Sequence, residues 1–437
     1  MGESINRRNF LKKSTLTGAA IGMTGPHLFS RGRNSPNEKV VVAVMGGRSR
    51  AASIARSCAS VEGMEIAGIY DVDERPLKET AKVLGDIQGR TPVTGTDFRR
   101  ALEDPSIDAL VIGAPDHWHT PASIMAIKAG KHVYVEKPGS QNPWEAELIV
   151  QAQKRYGKKV QLGNQGRSSP AIIQLVQEIH GGAIGRPYYA KAFYTNNRSS
   201  IGNGKIAQVP SWLDYELWQG PAPRTPYRDN IIHYNWHWFW KWGTGELLNN
   251  GTHNLEYCRW ALNVEYPYRI SSNGGRYHYD DDWEFADTQI ATFDFPDNKS
   301  INWDCRSRNN YPAFGTRDPS AVIYGTEGTA IIYGGNECAI YNLDREQIRN
   351  FSHDYAQNEN STVYHFQNFA KAITEGQKLN SPIEEGQKTV LMGHIGNISQ
   401  HLGRSLNINP ATGRIIGDPE AMSMWKRAYE PGWVPTI

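Results

Sequence analysis

One short stretch near the start of the chain restricts the fold more than any other. Residues 39–45 form a β-branched apolar run typical of a buried strand, a glycine-rich turn occupies residues 46–51, and residues 52–60 are helix-like. A second apolar run, residues 64–70, ends at Asp71. Strand, glycine turn, helix, strand and terminal acid form the order expected of a dinucleotide-binding βαβ unit.

The turn itself is the predicted pyrophosphate site, because backbone N–H groups and a helix N-terminus point at a bound anion there. Arg48 stands where the G-x-G-x-x-G pattern has its second glycine, and we expect its guanidinium to pair with phosphate oxygens. The predicted cofactor-binding residues of this turn are Gly46, Gly47, Arg48, Ser49 and Arg50.

Asp71 distinguishes between the two nicotinamide cofactors. A carboxylate at the end of the second strand accepts hydrogen bonds from the ribose hydroxyls and repels a 2′-phosphate. We therefore predict NAD rather than NADP.

Two further strands end in polar residues that can reach the same crevice. A predicted strand over residues 108–113 precedes a run of Pro, Asp, His, Trp and His, and a strand over residues 132–135 precedes Glu and Lys. The carboxyl ends of parallel strands form the ligand-binding edge of such a sheet. The added cofactor candidates are Pro115, His117, His119, Glu136 and Lys137. Two alternatives remain open: histidines packed on Trp118 in a turn, and a surface ion pair between Lys137 and Glu136.

Tryptophan is concentrated in the second half of the chain, and four of the 13 tryptophans alternate at positions 236, 238, 240 and 242. If this segment is extended, one of its faces is entirely tryptophan. Such a face either packs beneath a sheet or stacks against sugar rings. In the second case Trp236, His237 and Lys241 are candidate substrate contacts.

Composition excludes several classes of protein. A formal net charge of +2 over 437 residues gives no reason to expect a nucleic acid partner. No run approaches the roughly 20 apolar residues of a membrane span. The four cysteines are widely spaced without a CxxC pair, so we predict buried thiols and no metal site, with one disulfide as the alternative.

The N-terminus carries an apparent export signal. Arg7 and Arg8 are followed by Phe, Leu and Lys and then by a mildly apolar stretch that reaches Met23. This arrangement is typical of a twin-arginine signal and predicts export, to the periplasm in a two-membrane cell. A disordered basic tail is the alternative, and residues 1–37 are excluded from the fold prediction.

The chain resembles the Gfo/Idh/MocA oxidoreductases, the family of glucose–fructose oxidoreductase and inositol dehydrogenase. The resemblance rests on the glycine turn, on residues 115–119, on the triplet at 136–138 and on the Gly-Thr-His at 251–253. It implies α/β architecture, with an N-terminal Rossmann domain over residues 38–162. A C-terminal α/β domain with a large, open, mostly antiparallel sheet would follow over residues 163–437. It also implies a nicotinamide cofactor and a sugar or polyol substrate, and the open sheet favours a homo-oligomer.

The resemblance also assigns the chemistry. Lys137 would lie between nicotinamide and substrate, and His253 would transfer the proton. Many members carry Asp four residues before this histidine, where this chain has Asn249. Because an amide cannot raise the histidine pKa as an anion would, the partner of His253 becomes Lys137 or an acid elsewhere such as Glu246. The predicted substrate contacts are Lys137, Asn164, Gln165, Trp236, His237, Lys241, Asn249 and His253.

Three functions are compatible with these residues. The first is an exported NAD-dependent oxidoreductase that acts on a sugar or glycoside, with C3 as the favoured position and with a tightly bound, internally recycled cofactor. The second is an NAD-dependent glycosidase that works by transient oxidation and elimination. The third is a non-catalytic sugar-binding protein.

Overall fold

The first sheet is built from six parallel strands. A computed structural model describes residues 39–334, 336–356 and 359–437, so the predicted signal lies outside the described residues. The strands are β1 (Val40–Met45), β2 (Met64–Tyr70), β3 (Val93–Gly95), β4 (Ala109–Ile112), β5 (His132–Glu136) and β6 (Val160–Gly163). Their order is β3-β2-β1-β4-β5-β6, and every pairing is parallel. The order reverses between β1 and β4, which opens a crevice at the carboxyl ends of the strands. The predicted Rossmann architecture is confirmed.

Helices cover both faces of this sheet, which explains why its central strands are continuously apolar. The helices that follow its strands are α1 (Ser49–Ala59), α2 (Leu77–Gln88), α3 (Arg99–Glu103), α4 (Asp116–Lys128) and α5 (Pro143–Tyr156). Helix α4 begins at Asp116, so the two histidines considered as turn residues lie in its first turn. An acid in the first turn of a helix is favoured by the helix dipole, and the sequence prediction overlooked this signal.

The second sheet has nine strands and is antiparallel except where β7 meets β10. Its order is β14-β13-β12-β11-β7-β10-β9-β8-β15. The strands are β7 (Pro187–Thr195), β8 (Arg269–Gly275), β9 (Thr288–Phe295), β10 (Lys299–Arg306), β11 (Ala321–Gly325), β12 (Gly328–Gly334), β13 (Glu337–Asn342), β14 (Gln347–Ser352) and β15 (Leu406–Asn407). Buried and partly exposed residues alternate along β9 and β10, as expected for a sheet covered on one face. The predicted open sheet is confirmed.

The remaining helices follow the first sheet along the chain. They are α6 (Pro170–His180), α7 (Tyr215–Gln219), α8 (Glu246–Asn249), α9 (Gly251–Leu262), α10 (Ser361–Thr374), α11 (Ile383–Leu402) and α12 (Pro419–Ser423). Helices α6, α9 and α11 bury apolar side chains against the second sheet. Helix α10 packs on the first sheet instead, where Phe366 stacks on Tyr134 with ring centroids 4.3 Å apart.

The tryptophan-rich stretch is not extended, and the prediction of a single tryptophan face was wrong. Residues Asn235–Trp238 form a 3-10 helix, and turns follow. Three-residue turns send alternating side chains in different directions. Trp238 stacks on Trp283 at 3.7 Å between ring centroids, whereas Trp242 packs against Trp218 at 4.7 Å. These residues belong to a long connection, residues 196–243, which we call the crossing segment.

Two other sequence expectations concern covalent and membrane features. All four cysteines, Cys58, Cys258, Cys305 and Cys338, are buried free thiols, as predicted. Within the described residues, no helix is long and apolar enough to cross a membrane. The same residues contain no group of three or more His, Cys, Asp or Glu side chains placed to hold a metal ion.

A glycine contact fixes how closely α1 approaches the first sheet. A Cβ added at Gly113 would lie 2.8 Å from the Cα and Cβ of Ala51. We expect Gly113→Ala to lower the free energy of unfolding by about 1–3 kcal/mol, because the helix must move away from the strands. Gly334→Ala is the control, since an added Cβ there meets nothing within 4 Å. Its effect should stay within about 0.5 kcal/mol in urea unfolding. Equal stability of the two variants would contradict this packing argument.

Candidate functional site

A cavity of about 470 Å³ lies at the carboxyl ends of the parallel strands, beneath the crossing segment. Fourteen of the predicted site residues line it: Gly46, Arg48, Ser49, Arg50, Asp71, Pro115, His119, Glu136, Lys137, Gln165, Trp236, His237, Asn249 and His253. Four predicted residues do not line it: Gly47, His117, Asn164 and Lys241. The strand ends, the crossing segment and the start of α9 therefore converge on one space.

One end of the cavity has the groups that a dinucleotide requires. The first turn of α1 begins at Ser49, and the N-cap residue Arg48 makes no side-chain cap to it. Gly46 has φ +112°, and an added Cβ would lie 2.7 Å from the Cβ of Ala51. The tight turn and the uncapped helix start fit a pyrophosphate.

Asp71 occupies the position expected of the ribose-binding acid. Its Oδ2 accepts from the Gly47 N–H at 2.6 Å, and its Oδ1 accepts from the Asp73 N–H at 2.9 Å. Burial raises the pKa of Asp71, although these two N–H donors oppose the shift. Gly47 does not line the cavity, but its N–H orients the Asp71 carboxylate.

The two arginines of the turn are already paired with carboxylates. Arg48 Nε lies 3.1 Å from Asp73, and Arg50 Nη2 lies 3.0 Å from Glu136. The expected contact between these arginines and phosphate remains a prediction. Glu136 Oε1 also accepts from Gln165 at 2.9 Å. Its other oxygen, Oε2, is buried and has no hydrogen-bond partner within the described residues.

Lys137 lies in the wall of the same cavity, where it contacts Asn249. Its ammonium donates to the backbone oxygen of Asn249 at 2.5 Å and to the side-chain oxygen of Asn249 at 2.8 Å. Burial lowers the pKa of Lys137, while Glu136 and Asp116 oppose that shift. Because residue 249 is asparagine and not aspartate, Lys137 contacts amide oxygens and not a carboxylate. Lys137 keeps a positive charge available for an oxyanion.

His253 lies in the first turn of α9, where it faces the cavity. Its Nδ1 is 2.9 Å from the side-chain oxygen of Asn164. An amide oxygen only accepts hydrogen bonds, so we assign the proton to Nδ1 and the lone pair to Nε2. Burial and then the Lys137 charge lower the pKa of His253 to about 3. At neutral pH this imidazole is an uncharged base, and the side-chain oxygen of Asn164 orients it through Nδ1.

His237 is a second neutral imidazole in the cavity. Its Nδ1 donates to the backbone oxygen of Tyr234 at 2.6 Å, and its ring stacks on Trp236 with centroids 3.6 Å apart. Burial lowers its pKa to about 3. Since Nδ1 is the donor, Nε2 again carries the lone pair.

The histidines of α4 have structural contacts. His119 donates from Nε2 to the backbone oxygen of Ala114 at 2.8 Å, and its Nδ1 accepts from the Gly139 N–H at 3.2 Å. Both ring nitrogens are therefore used in fixing the turns. His117 is fully buried, and its Nε2 lies 2.8 Å from the backbone oxygen of Trp218. His117 thus holds the crossing segment and does not reach the cavity.

Lys241 and Glu246 do not act on His253 directly. The Lys241 ammonium lies 5.5 Å from the ring centroid of Trp242, away from the cavity. Glu246 is buried in an ion pair with Arg198 and accepts from Asn250 at 2.6 Å. The alternative that Glu246 serves as the acid partner of His253 receives no support from this geometry.

Polar residues of the cavity wall that the sequence did not predict include Asp116, His233 and Tyr234. Asp116 accepts from the Thr244 hydroxyl at 2.6 Å, and burial raises its pKa to about 7. Its place within the Pro-Asp-His-Trp-His run was an available signal. Tyr234 lines the cavity from the crossing segment, and nothing in the sequence around it distinguishes it.

The strand order, the glycine turn and the cavity together define a two-domain, dinucleotide-binding oxidoreductase fold. The chain belongs to the Gfo/Idh/MocA oxidoreductase family. Residues 38–164 match its domain described as "Oxidoreductase family, NAD-binding Rossmann fold", and residues 190–434 match "Oxidoreductase family, C-terminal alpha/beta domain". The cofactor of this domain is NAD, which the turn and Asp71 fit.

Curated relatives match parts of the chain. A glycosyl hydrolase family 109 protein of Saccharopolyspora erythraea is 25% identical over 227 residues, which cover 47% of this chain and 49% of the relative. The scyllo-inositol 2-dehydrogenase (NAD(+)) of Bacillus subtilis is 31% identical over 134 residues, 31% of this chain and 38% of the relative. The chain thus spans about half the length of the first relative and less of the second.

Solved structures share the fold over most of the chain. A levoglucosan dehydrogenase in complex with NADH and levoglucosan superposes with a TM-score of 0.67 at 18% identity, covering 85% of this chain and 99% of that one. An aldose-aldose oxidoreductase from Caulobacter crescentus gives a TM-score of 0.65 at 17% identity, covering 85% and 100%. At this identity the likeness describes the fold alone.

The contact between Asn164 and His253 makes a prediction about pH. If His253 is the base of a hydride transfer to NAD, the rate should fall as pH drops through the pKa of this histidine, since a base must be unprotonated. In the wild type this fall should lie well below the ordinary histidine pKa of about 6.5. Asn164→Asp places an anion beside the imidazole and should move the fall toward neutral pH.

The control for this experiment is Ser168→Ala. Ser168 lies 2.6 Å from Nδ1 of another buried histidine, His365, and should leave the profile unchanged. Identical acid limbs in the wild type and Asn164→Asp, measured by stopped-flow absorbance of NADH, would contradict the proposed role of Asn164.

Proposed function

We propose that this protein transfers hydride between bound NAD and a CH–OH group of a sugar or glycoside. The observation that carries the proposal is that Lys137 and His253 line the same cavity as the glycine turn and Asp71. When bound, NAD supplies the hydride acceptor and donor. The turn would hold its pyrophosphate, and Asp71 would hold its ribose.

The residues of the chain supply the proton chemistry. His253 Nε2 accepts the proton of the substrate hydroxyl, and its neutral state at physiological pH suits that task. Lys137 stabilises the negative charge that develops on the same oxygen. Asn249 keeps the ammonium in place through two hydrogen bonds, and Asn164 keeps the imidazole in the required tautomer.

A carbohydrate substrate fits the wall of the cavity. Trp236 and Tyr234 offer aromatic surface for the C–H face of a sugar ring, while Gln165 and Asn249 offer amides for its hydroxyl groups. The names of the similar proteins point to the same class, since levoglucosan, inositol and glycosides are all polyhydroxylated rings. Within that class we favour oxidation at C3 of a glycoside.

Export and cofactor retention belong to the same proposal. The twin-arginine pattern at Arg7 and Arg8 directs a folded protein out of the cytoplasm. Outside the cytoplasm, free NAD is scarce. An exported enzyme would therefore keep its cofactor and recycle it by reducing an acceptor. We also propose that the open second sheet pairs with a second copy of the chain.

The first test measures the cofactor and the half-reaction together. We expect near-stoichiometric NAD or NADH, detected by mass spectrometry, when the purified folded protein is denatured. The wild type should reduce bound NAD when mixed with a reactive glycoside. His253→Asn and Lys137→Met should retain NAD but lose about 10²-fold or more of that rate, since each removes a group that acts on the reacting oxygen.

Lys241→Met is the matched control, because this lysine lies outside the cavity wall. It should leave the rate close to that of the wild type. A wild-type protein that holds no NAD and takes up none when NAD is added would refute the proposal. Full activity of His253→Asn would remove that residue from the mechanism.

A second candidate function is net cleavage of a glycoside, and His237 is the observation that favours it. Simple oxidation needs one base, whereas the cavity holds two neutral imidazoles with unprotonated Nε2 atoms. Oxidation at C3 acidifies the C2 proton, which His237 would remove. Electrons of the C2–H bond then form the C1–C2 double bond, and the C1–O bond breaks as the leaving oxygen takes a proton from water and departs as a neutral alcohol. Water adds at C1, a proton returns to C2, and hydride returns to C3.

Solvent deuterium distinguishes the two functions. If His237 removes the C2 proton, sugar recovered from reaction in D₂O carries deuterium at C2, and His237→Asn lowers that incorporation at least about 10²-fold. The variant should still reduce bound NAD at a rate within about threefold of the wild type. Absence of deuterium at C2 in the wild type, measured by NMR, would leave net oxidoreduction as the function.

A further inference from the structure

The crossing segment forms the roof of the cavity. Six of its residues line the wall: Leu217, Trp218, His233, Tyr234, Trp236 and His237. The floor is formed by the ends of the parallel strands. A dinucleotide that reaches from Asp71 to Lys137 would therefore lie between the strand ends and this segment, and opening of the segment would favour its release.

At one edge the roof is attached to α4 by buried hydrogen bonds. The backbone oxygen of Trp218 accepts from the indole of Trp118 at 3.0 Å and lies 2.8 Å from Nε2 of His117. The backbone oxygen of Trp242 accepts from the His117 N–H at 3.1 Å. These contacts are shielded from water, so this edge is firmly fixed.

A second attachment centres on the carboxylate of Asp73, whose side chain is fully buried. Arg75 binds it through two nitrogens, each at 2.8 Å. Arg48, from the glycine turn, lies 3.1 Å from it, and His233, from the crossing segment, lies 3.0 Å from it. Asp73 thus joins the roof to the turn that would hold the pyrophosphate.

Aromatic contacts extend the same attachment. The guanidinium of Arg75 lies 3.3 Å from the ring centroid of Trp212, and Trp212 stacks with His233 at 5.4 Å between centroids. A backbone hydrogen bond from Asp214 to Val72, at 3.0 Å, completes the contact. Without the Asp73 charge, Arg48 and Arg75 would repel each other, and His233 would lose its acceptor.

We infer that Asp73 is the positioning residue that holds the crossing segment closed over the dinucleotide, and that retention of the cofactor between turnovers depends on it. The identity of the ligand rests on the proposed function. The inference itself concerns the roof, and it goes beyond the ribose and phosphate contacts assigned to Asp71 and the glycine turn.

The test compares the release of NADH from two variants that break the attachment from opposite sides. Asp73→Asn removes the shared charge, and His233→Ala removes the roof's contact while leaving both arginines paired. In each variant the dissociation rate of bound NADH should rise at least about tenfold, equivalent to 1.4 kcal/mol. The rate is measured from the loss of energy transfer from tryptophan to NADH. Added NAD should restore turnover, so the loss appears in apparent affinity and not in the maximal rate.

Asp281→Asn is the matched control. Asp281 is also buried between two arginines and also binds the crossing segment, through Ser200 and Ile201, at 2.8 and 2.9 Å. It does not line the cavity, and its variant should release NADH at the wild-type rate. Unchanged release from both Asp73→Asn and His233→Ala would overturn the inference. Equal acceleration in Asp281→Asn would also overturn it, since any loosening of the segment would then suffice.

Limited proteolysis supplies a readout that requires no cofactor. Arg224 and Arg228 lie within the crossing segment and are partly buried, so trypsin should cleave after them faster when the segment is loosened. We expect faster cleavage at these sites in Asp73→Asn and His233→Ala than in the wild type. If the wild type proved to bind no NAD, the proposed function would fail, while this measurement would still test the attachment. Identical cleavage rates would show that Asp73 does not hold the segment.

Discussion

The hydrogen bonds between the Lys137 ammonium and the two oxygens of Asn249 join the halves of the molecule where the reaction is proposed. Lys137 directly follows a strand of the parallel sheet, and Asn249 ends a short helix that leads into the second half. A buried ammonium is tolerated only with partners, and both of its hydrogen-bond acceptors belong to Asn249. Every other group of the cavity is placed relative to this contact: the glycine turn on one side, and His253 with its supporting amide on the other.

The cavity separates its charges in a way that suits hydride chemistry. Its arginines are paired, with Arg50 against Glu136 and Arg48 against Asp73, while its two candidate bases are uncharged. Burial keeps the imidazoles neutral, and the lysine charge reinforces that state. An aspartate at position 249 would have neutralised Lys137 and favoured a protonated histidine. The asparagine leaves a cation beside a neutral base, which is the pairing that removal of a hydroxyl proton requires.

The sequence predicted features that depend on neighbouring residues in the chain. The glycine turn, the acid at the end of the second strand and the residues after the fifth strand could be located because strand ends are local signals. His253 followed from a short motif at the start of a helix. The hydrogen bonds that hold these groups in place could not be predicted, because their partners are distant in the chain. Asn164 and His253 are 89 residues apart, and His117 and Trp218 are 101 apart. Alternation of tryptophans suggested a strand, but the indoles pack in separate environments, which short helical turns allow.

The burial of the four thiols bears on how the protein responds to reducing and oxidising compartments. Each is enclosed by apolar side chains, and burial raises the pKa of each thiol. A thiol that stays protonated and shielded reacts slowly with oxidants and disulfides. The native fold therefore contains no covalent cross-link between cysteines that must be made or kept. Its covalent structure is the same in a reducing and in an oxidising compartment, so a chain folded in one can function in the other.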